Sequence, residues 1–168
     1  MPDQKRLYVA YGSNLNLPQM ERRCPTAKVV GTAVLPDREL LFRGRAAGAV
    51  ATVEPREGAS VPVLIWDIQP MDEKALDHYE GYPRLYAKET IQVNMDGREV
   101  EAMAYVMTPG HEPGLPSEWY RDVIAEGYRA AGFDLSVLET AVLRSAELMA
   151  APMEELARRD GLRMGWPE

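Results

Sequence analysis

The chain has 168 residues, with 46% hydrophobic and 27% charged side chains and a net charge of -7. That size and mix fit one soluble globular domain across 1–168, and the negative charge argues against nucleic acid or an anionic membrane as the main partner. Cys24 is the only cysteine, so no internal disulfide can form, which suits a reducing cytoplasm. The N-terminal residues lack an apolar run of signal-peptide length, and no segment approaches membrane-spanning length. His78 and His111 have no partners at metal-ligand spacing, so a metal site is not expected.

Leu7 to Tyr11 is apolar and aromatic and stops at Gly12, which predicts a buried strand. Asn14 or Asn16 can cap a short helix over 17–23, with Asn16 and Gln19 as a weak capping box, Pro18 in the first turn and Cys24-Pro25 ending it. Strands are expected over 28–35 and 39–42, joined by a Pro36-Asp37 turn, and again over 50–53 and 61–68, separated by polar 54–60. Gly44 to Gly48 reads as a flexible loop of small residues. Pro70 opens a helix with Asp72 as its N-cap, Leu76 and Tyr79 facing inward, and Gly81 and Pro83 ending it after Glu80. Two further strands over 90–93 and 100–107 flank an Asn94 to Gly97 hairpin turn.

Thr108 to Pro116 is a proline- and glycine-rich loop, and Ser117 caps a helix to about Ala131. Ser136 and Glu139 form a capping box for a last long helix, with Leu135, Leu138, Val142, Ala146 and Met149 on one face. Pro152 breaks it, and a further turn or two follows, so the C-terminal helices span 135–158 behind a core of 7–131. Strands first and helices last predict an α+β fold: a small mixed, mostly antiparallel β-barrel with packed helices.

Two stretches carry chemistry. A strand turning through Gly12-Ser13-Asn14 into a helix leaves backbone N–H groups free to meet an anion, and Gly12 permits a tight turn and close ligand approach. A strand end with a capped helix gives the same pattern without any ligand. Glu80 ends a helix, where the dipole and any burial by Tyr79 and Tyr82 raise the pKa of a carboxyl and suit it to proton transfer. Most glutamates at such ends are simply exposed, and Glu54, Glu57, Glu99 and Glu101 are read that way. Tyr8, Tyr86, Tyr105, Tyr120 and Trp66 read as core. Cys24 reads as a small buried side chain, since no histidine base accompanies it. His78 reads as solvated. Arg43, Arg45 and Arg84 read as surface charges, a substrate carboxylate being the other role open to one of them.

Tyr11-Gly12-Ser13-Asn14-Leu15, Gly31-Thr32-Ala33-Val34-Leu35, Ala51-Thr52-Val53, Leu76-Asp77 with Glu80-Gly81, Tyr86, Ala104-Tyr105-Val106-Met107, and Pro116-Ser117 with Tyr120 together resemble the γ-glutamylcyclotransferase family. The bacterial, AIG2-like branch looks most similar. The resemblance covers about 7–131. It implies a γ-glutamylcyclotransferase-like barrel, no cofactor, a small γ-glutamyl substrate and room for a homodimer. It implies an acyl transfer within one molecule: the α-amino group of a γ-glutamyl amino acid or amine attacks its own γ-carbonyl, giving 5-oxoproline and the free amine. Glu80 is then the general acid/base. Tyr8, Tyr11, Gly12, Ser13 and Asn14 hold the γ-glutamyl group, and Tyr105 and Tyr120 are further pocket residues. The loop N–H groups suit either the α-carboxylate or the developing oxyanion. A non-catalytic relative that binds small carboxylates, and a cyclotransferase for a specialised γ-glutamyl amine, are the alternative expectations.

Overall fold

A computed structural model describes residues 6–150. Five strands close into a barrel in the order β1 (Arg6–Ala10), β3 (Val50–Ile68), β2 (Lys28–Arg43), β4 (Tyr86–Met95), β5 (Arg98–Met107). Every pairing is antiparallel except the closing one, where β5 meets β1 in parallel at Tyr8 and Met103. Around the barrel lie a 3₁₀ turn (Ser13–Leu15) and helices α1 (Leu17–Arg23), α2 (Pro70–Glu80), α3 (Glu118–Ala131) and α4 (Leu135–Ala150). The α+β, mostly antiparallel barrel matches the expectation from sequence. Among the described residues no helix is long and apolar enough to cross a membrane.

The expected break at Pro36-Asp37 is a bulge and not a chain reversal. β2 and β3 are each one long strand, paired from Lys28 with Asp67 to Arg43 with Val50. The register slips between Pro36 and Arg38, where Asp37 adopts φ 56° and its carboxylate accepts from the Gly58 N–H. An Asx-type bond therefore holds the bulge and both strands run on through it. The true reversal is the 44–49 loop. The loop and the end of β2 are laced to the 112–115 segment by four backbone bonds: Gly44 N to Glu112 O, Gly114 N to Phe42 O, Leu115 N to Ala46 O and Ala49 N to Leu115 O. That lacing replaces the flexible loop expected from its small residues.

Two helix starts differ from expectation. Gln69, not Asp72, is the N-cap of α2; Asp72 sits three residues in and its Oδ2 accepts from the Gln69 N–H. At α4 the Asp134 carboxylate, not Ser136, takes the first free N–H, that of Ser136. The buried face of α4 is Leu138, Ala141, Ser145 and Leu148, one step round from the predicted stripe. The reason is polar: Ser145 Oγ accepts from Phe42 N at 2.9 Å, so a serine must face β2. The helical turns expected after Pro152 lie outside the described residues. Ser117 caps α3 as expected, accepting from Tyr120 N, and the Asn94–Gly97 turn joins β4 and β5.

Candidate active site

One end of the barrel opens into a cavity of about 210 Å³. Its walls come from the segment after β1 (Tyr11, Gly12, Ser13, Asn14), the start of β3 (Val50, Ala51), the end of α2 (Tyr79, Glu80), the start of β4 (Leu85, Tyr86), and Tyr8, Tyr105 and Tyr120. All eight residues singled out from sequence thus meet at one place: Glu80, Tyr8, Tyr11, Gly12, Ser13, Asn14, Tyr105 and Tyr120.

The 3₁₀ turn makes its first internal bond from Leu15 N to Gly12 O, so the Gly12, Ser13 and Asn14 N–H groups have no acceptor within the turn. Gly12 has a negative φ, so its small size matters through close approach instead. A Cβ there would lie 3.2 Å from the Ala51 Cβ and 3.6 Å from Tyr120 Oη. Behind the turn, Trp66 Nε1 donates to Asn14 O at 3.2 Å, and Asn16 Nδ2 donates to Val123 O at 3.0 Å. Asn16 Oδ1 also caps α1 by accepting from Gln19 N. Trp66, read as packing, therefore also anchors the loop. Gly127 of α3 lies against Leu15 so closely that a Cβ would sit 2.7 Å from the Leu15 backbone.

Glu80 ends α2, and Gly81 takes the left-handed conformation at φ 66° that closes the helix. The residue is half-buried, and its carboxyl sits among the cavity side chains. Desolvation raises its pKa to about 7, against the opposing pull of the Arg23 charge. Burial outweighs the positive neighbour. Among the described residues no hydrogen-bond partner meets the Glu80 carboxyl. α2 is fixed at both ends. Near its start, Thr26 Oγ1 donates to Asp72 Oδ2 at 2.6 Å and Cys24 Sγ donates to Asp72 O at 3.6 Å. Near its end, Tyr105 Oη donates to Asp77 Oδ1, and Lys88 Nζ pairs with both Asp77 and Glu73.

Six tyrosines line the cavity, and most of their hydroxyls are committed to the walls. Tyr11 Oη donates to Tyr105 O at 2.6 Å, Tyr86 Oη to Ala51 O, and Tyr120 Oη accepts from Ala51 N at 3.1 Å. Tyr105 presents its ring and sends its hydroxyl away to Asp77. Burial holds the phenol pKa values of Tyr8, Tyr11, Tyr86 and Tyr120 above the ordinary value, so these groups stay neutral donors or acceptors.

Several residues of the site were not singled out from sequence. Tyr79 was expected to face inward; it is 44% exposed, yet its hydroxyl meets Ser13 Oγ at 3.1 Å. Its signal was adjacency to Glu80. Arg23, in the last turn of α1, donates to Asn14 Oδ1 and lies 3.4 Å from the Tyr79 ring centroid. Val50, Ala51 and Leu85 carry no local signal of a site. Arg43, Arg45 and Arg84 are absent from the cavity walls. Arg43 pairs with Glu54, both half-buried, so neither is the free surface charge it was read as. Cys24 is buried with its pKa pushed up to about 11 by desolvation, the state of a structural thiol. His78 is exposed, and among the described residues no cluster of His, Cys, Asp and Glu could hold a metal.

Comparison with known proteins agrees with this geometry. The family model described as "Gamma-glutamyl cyclotransferase, AIG2-like" matches residues 8–122. The human protein named gamma-glutamylcyclotransferase is 30% identical over 148 residues, covering 82% of this chain and 78% of that protein. The Bos taurus protein of the same name is 31% identical over 138 residues, covering 77% and 73%. A solved structure described as gamma-glutamyl cyclotransferase superposes with a TM-score of 0.74 at 28% identity, covering 82% of this chain and 86% of that one. The matched span includes the donor loop, Glu80 and every tyrosine of the cavity, and on these grounds the chain belongs to the gamma-glutamyl cyclotransferase, AIG2-like family.

Proposed function

We propose that this protein converts a γ-glutamyl amino acid or amine to 5-oxoproline and the free amine, with Glu80 as general acid/base. The observation that carries the proposal is a half-buried carboxyl, unpartnered among the described residues, that shares one cavity with the Gly12–Asn14 N–H groups. An α-ammonium with a pKa of roughly 8 must lose a proton before it can attack. A carboxyl with a pKa of about 7 is matched to take it. The new bond joins the α-nitrogen to the γ-carbonyl carbon, and the bond from that carbon to the departing nitrogen breaks. The first proton taken by Glu80 goes to the departing nitrogen, and the second proton, shed by the α-nitrogen as it becomes the lactam N–H, follows by the same carboxyl, so that the amine leaves as an ammonium ion. No side-chain nucleophile takes part.

Ring closure is unimolecular, so the protein's task is to hold the glutamyl chain folded. The Gly12, Ser13 and Asn14 N–H groups bind its anionic oxygen, and the rings of Tyr11, Tyr105 and Tyr120 bound its methylenes. A cavity of about 210 Å³ suits one glutamyl group with a small leaving amine.

The test is mass-spectrometric detection of 5-oxoproline from a panel of γ-glutamyl amino acids and amines, with Glu80→Gln alongside. Release by the wild type and its loss in the folded variant are expected. Full activity in Glu80→Gln would remove Glu80 as the base. Thermal stabilisation by glutamate-like ligands without any 5-oxoproline would identify a non-catalytic carboxylate binder instead.

A further inference from the structure

Arg23 does not line the cavity, yet it touches two residues that do. It is the last residue of α1. Its Nη1 donates to Asn14 Oδ1, its Nη2 donates to Gln19 Oε1 at 3.1 Å, and its guanidinium lies 3.4 Å from the centroid of the Tyr79 ring. A guanidinium has donors only, so the Asn14 atom facing it must be the oxygen. The Asn14 amide nitrogen is thereby turned to Tyr8 Oη, 2.8 Å away. That nitrogen can only donate, so Tyr8 Oη accepts and keeps its own proton for another partner. Among the described residues no acceptor meets that proton, and Tyr8 lines the cavity. Tyr79, the other residue Arg23 touches, immediately precedes Glu80.

We propose that Arg23 is a positioning residue of this site: it locks the Asn14 amide so that the Tyr8 hydroxyl donates into the cavity, and it clamps the turn of α2 that ends on Glu80. The geometry stands on its own; the catalytic consequence rests on the cyclotransferase reading above. Charge supports it. The titratable groups around Glu80 are Arg23 from α1, Tyr79 beside it on α2, and Tyr8, Tyr11, Tyr86, Tyr105 and Tyr120 from the other walls. Burial keeps Tyr8, Tyr11, Tyr86, Tyr105 and Tyr120 uncharged, and Arg23 is the charge that favours the Glu80 carboxylate against its burial. Lysine does not replace it, because an ammonium lacks the planar fork that reaches Asn14 and Gln19 while stacking on a ring.

The experiment compares the wild type with Arg23→Met and Arg23→Lys by two readouts. The first needs no substrate: titration of the Glu80 side-chain carboxyl by NMR. Arg23→Met should move its midpoint upward by roughly half a unit or more, while Arg23→Lys stays nearer the wild type. The second is kinetics on a γ-glutamyl substrate that the wild type turns over. Arg23→Met should lower kcat by about 10–100-fold with KM changed less than about threefold, and the acid limb of kcat/KM should move to higher pH. Arg23→Lys should restore the limb but not kcat. An unmoved Glu80 titration, or Arg23→Lys with wild-type kcat, would overturn the proposal. If Arg23→Met does not fold, the kcat loss with an intact limb in Arg23→Lys decides it. If the wild type releases no 5-oxoproline, the cyclotransferase reading fails, and the substrate-free titration still judges Arg23.

Discussion

The Tyr105 hydroxyl donates to Asp77 Oδ1, and that bond joins β5 to the helix that ends three residues later on Glu80. Lys88 of β4 reinforces it from the side, pairing with Asp77 at 2.9 Å and lying 4.4 Å from the Tyr82 ring centroid. Tyr105 thus does two jobs, offering its ring to the cavity and its hydroxyl to the strut behind it. Tyr105→Phe keeps the ring and removes the strut. It should lower stability by about 1–2 kcal/mol in urea unfolding, because Lys88 still satisfies the Asp77 carboxylate. Its kcat should fall while KM for a γ-glutamyl substrate stays close to wild type. A KM effect alone would place the Tyr105 hydroxyl on the substrate instead.

Burial of Glu80 makes a stability prediction with a definite sign. Its folded pKa of about 7 lies above the ordinary 4.5, so between those values the folded protein binds more protons than the unfolded chain. Stability therefore falls as pH rises from 4.5 to 7, and the cost is complete above 7. Glu80→Gln removes the charge without changing the shape. It should be more stable than the wild type at pH 8, by up to about 3 kcal/mol, with the gap closing below pH 5. Thermal melts across pH read this directly. A Glu80→Gln protein no more stable than the wild type at pH 8 would mean the carboxylate is solvated.

The same pKa sets the rate profile. If free Glu80 must be ionised to accept the ammonium proton, kcat/KM should rise with pH through a limb near 7, well above the 4.5 of an ordinary carboxylate base. Glu80→Gln should lower kcat by about 10²–10⁴-fold and abolish the limb. A limb near 4.5 would assign the base to a solvent-exposed group.

Much of this site is legible in the sequence because its key residues sit at element ends, where local chemistry is strong. Gly12 closes a strand, Gly81 closes a helix, and each flags the residues beside it: Ser13 and Asn14 in one case, Glu80 in the other. The barrel was legible from the order of strands and helices. What was not legible depends on contacts across the chain. Pro36-Asp37 carries turn chemistry, and only the Gly58 N–H on Asp37 makes it a bulge within a paired ribbon. The stripe on α4 turns because Phe42 N needs Ser145, 103 residues away. Arg23 looks like a routine helix-ending cation until Asn14 and Tyr79 are brought to it.

Gly127 shows how such a distant contact can be tested. In a helix interior, alanine is favoured over glycine by about 1 kcal/mol, so propensity alone predicts that Gly127→Ala stabilises α3. The structure opposes this. The new Cβ would lie 2.7 Å from the Leu15 carbonyl carbon and Cβ and 2.9 Å from its oxygen, and backbone cannot swing aside as a flexible side chain can. Overpacking of this kind costs about 1–3 kcal/mol, which exceeds the propensity gain, so the variant should melt lower than the wild type. Relief of the clash must move α3 or the 3₁₀ turn, and Gly12, Ser13 and Asn14 move with the turn. Activity should therefore fall by more than stability explains, since a displacement of about 1 Å at a binding loop can cost on the order of 100-fold. Melting temperature and kcat/KM measured on the same preparation separate the two effects. A Gly127→Ala protein that melts higher and keeps full activity would show that α3 does not fix the loop.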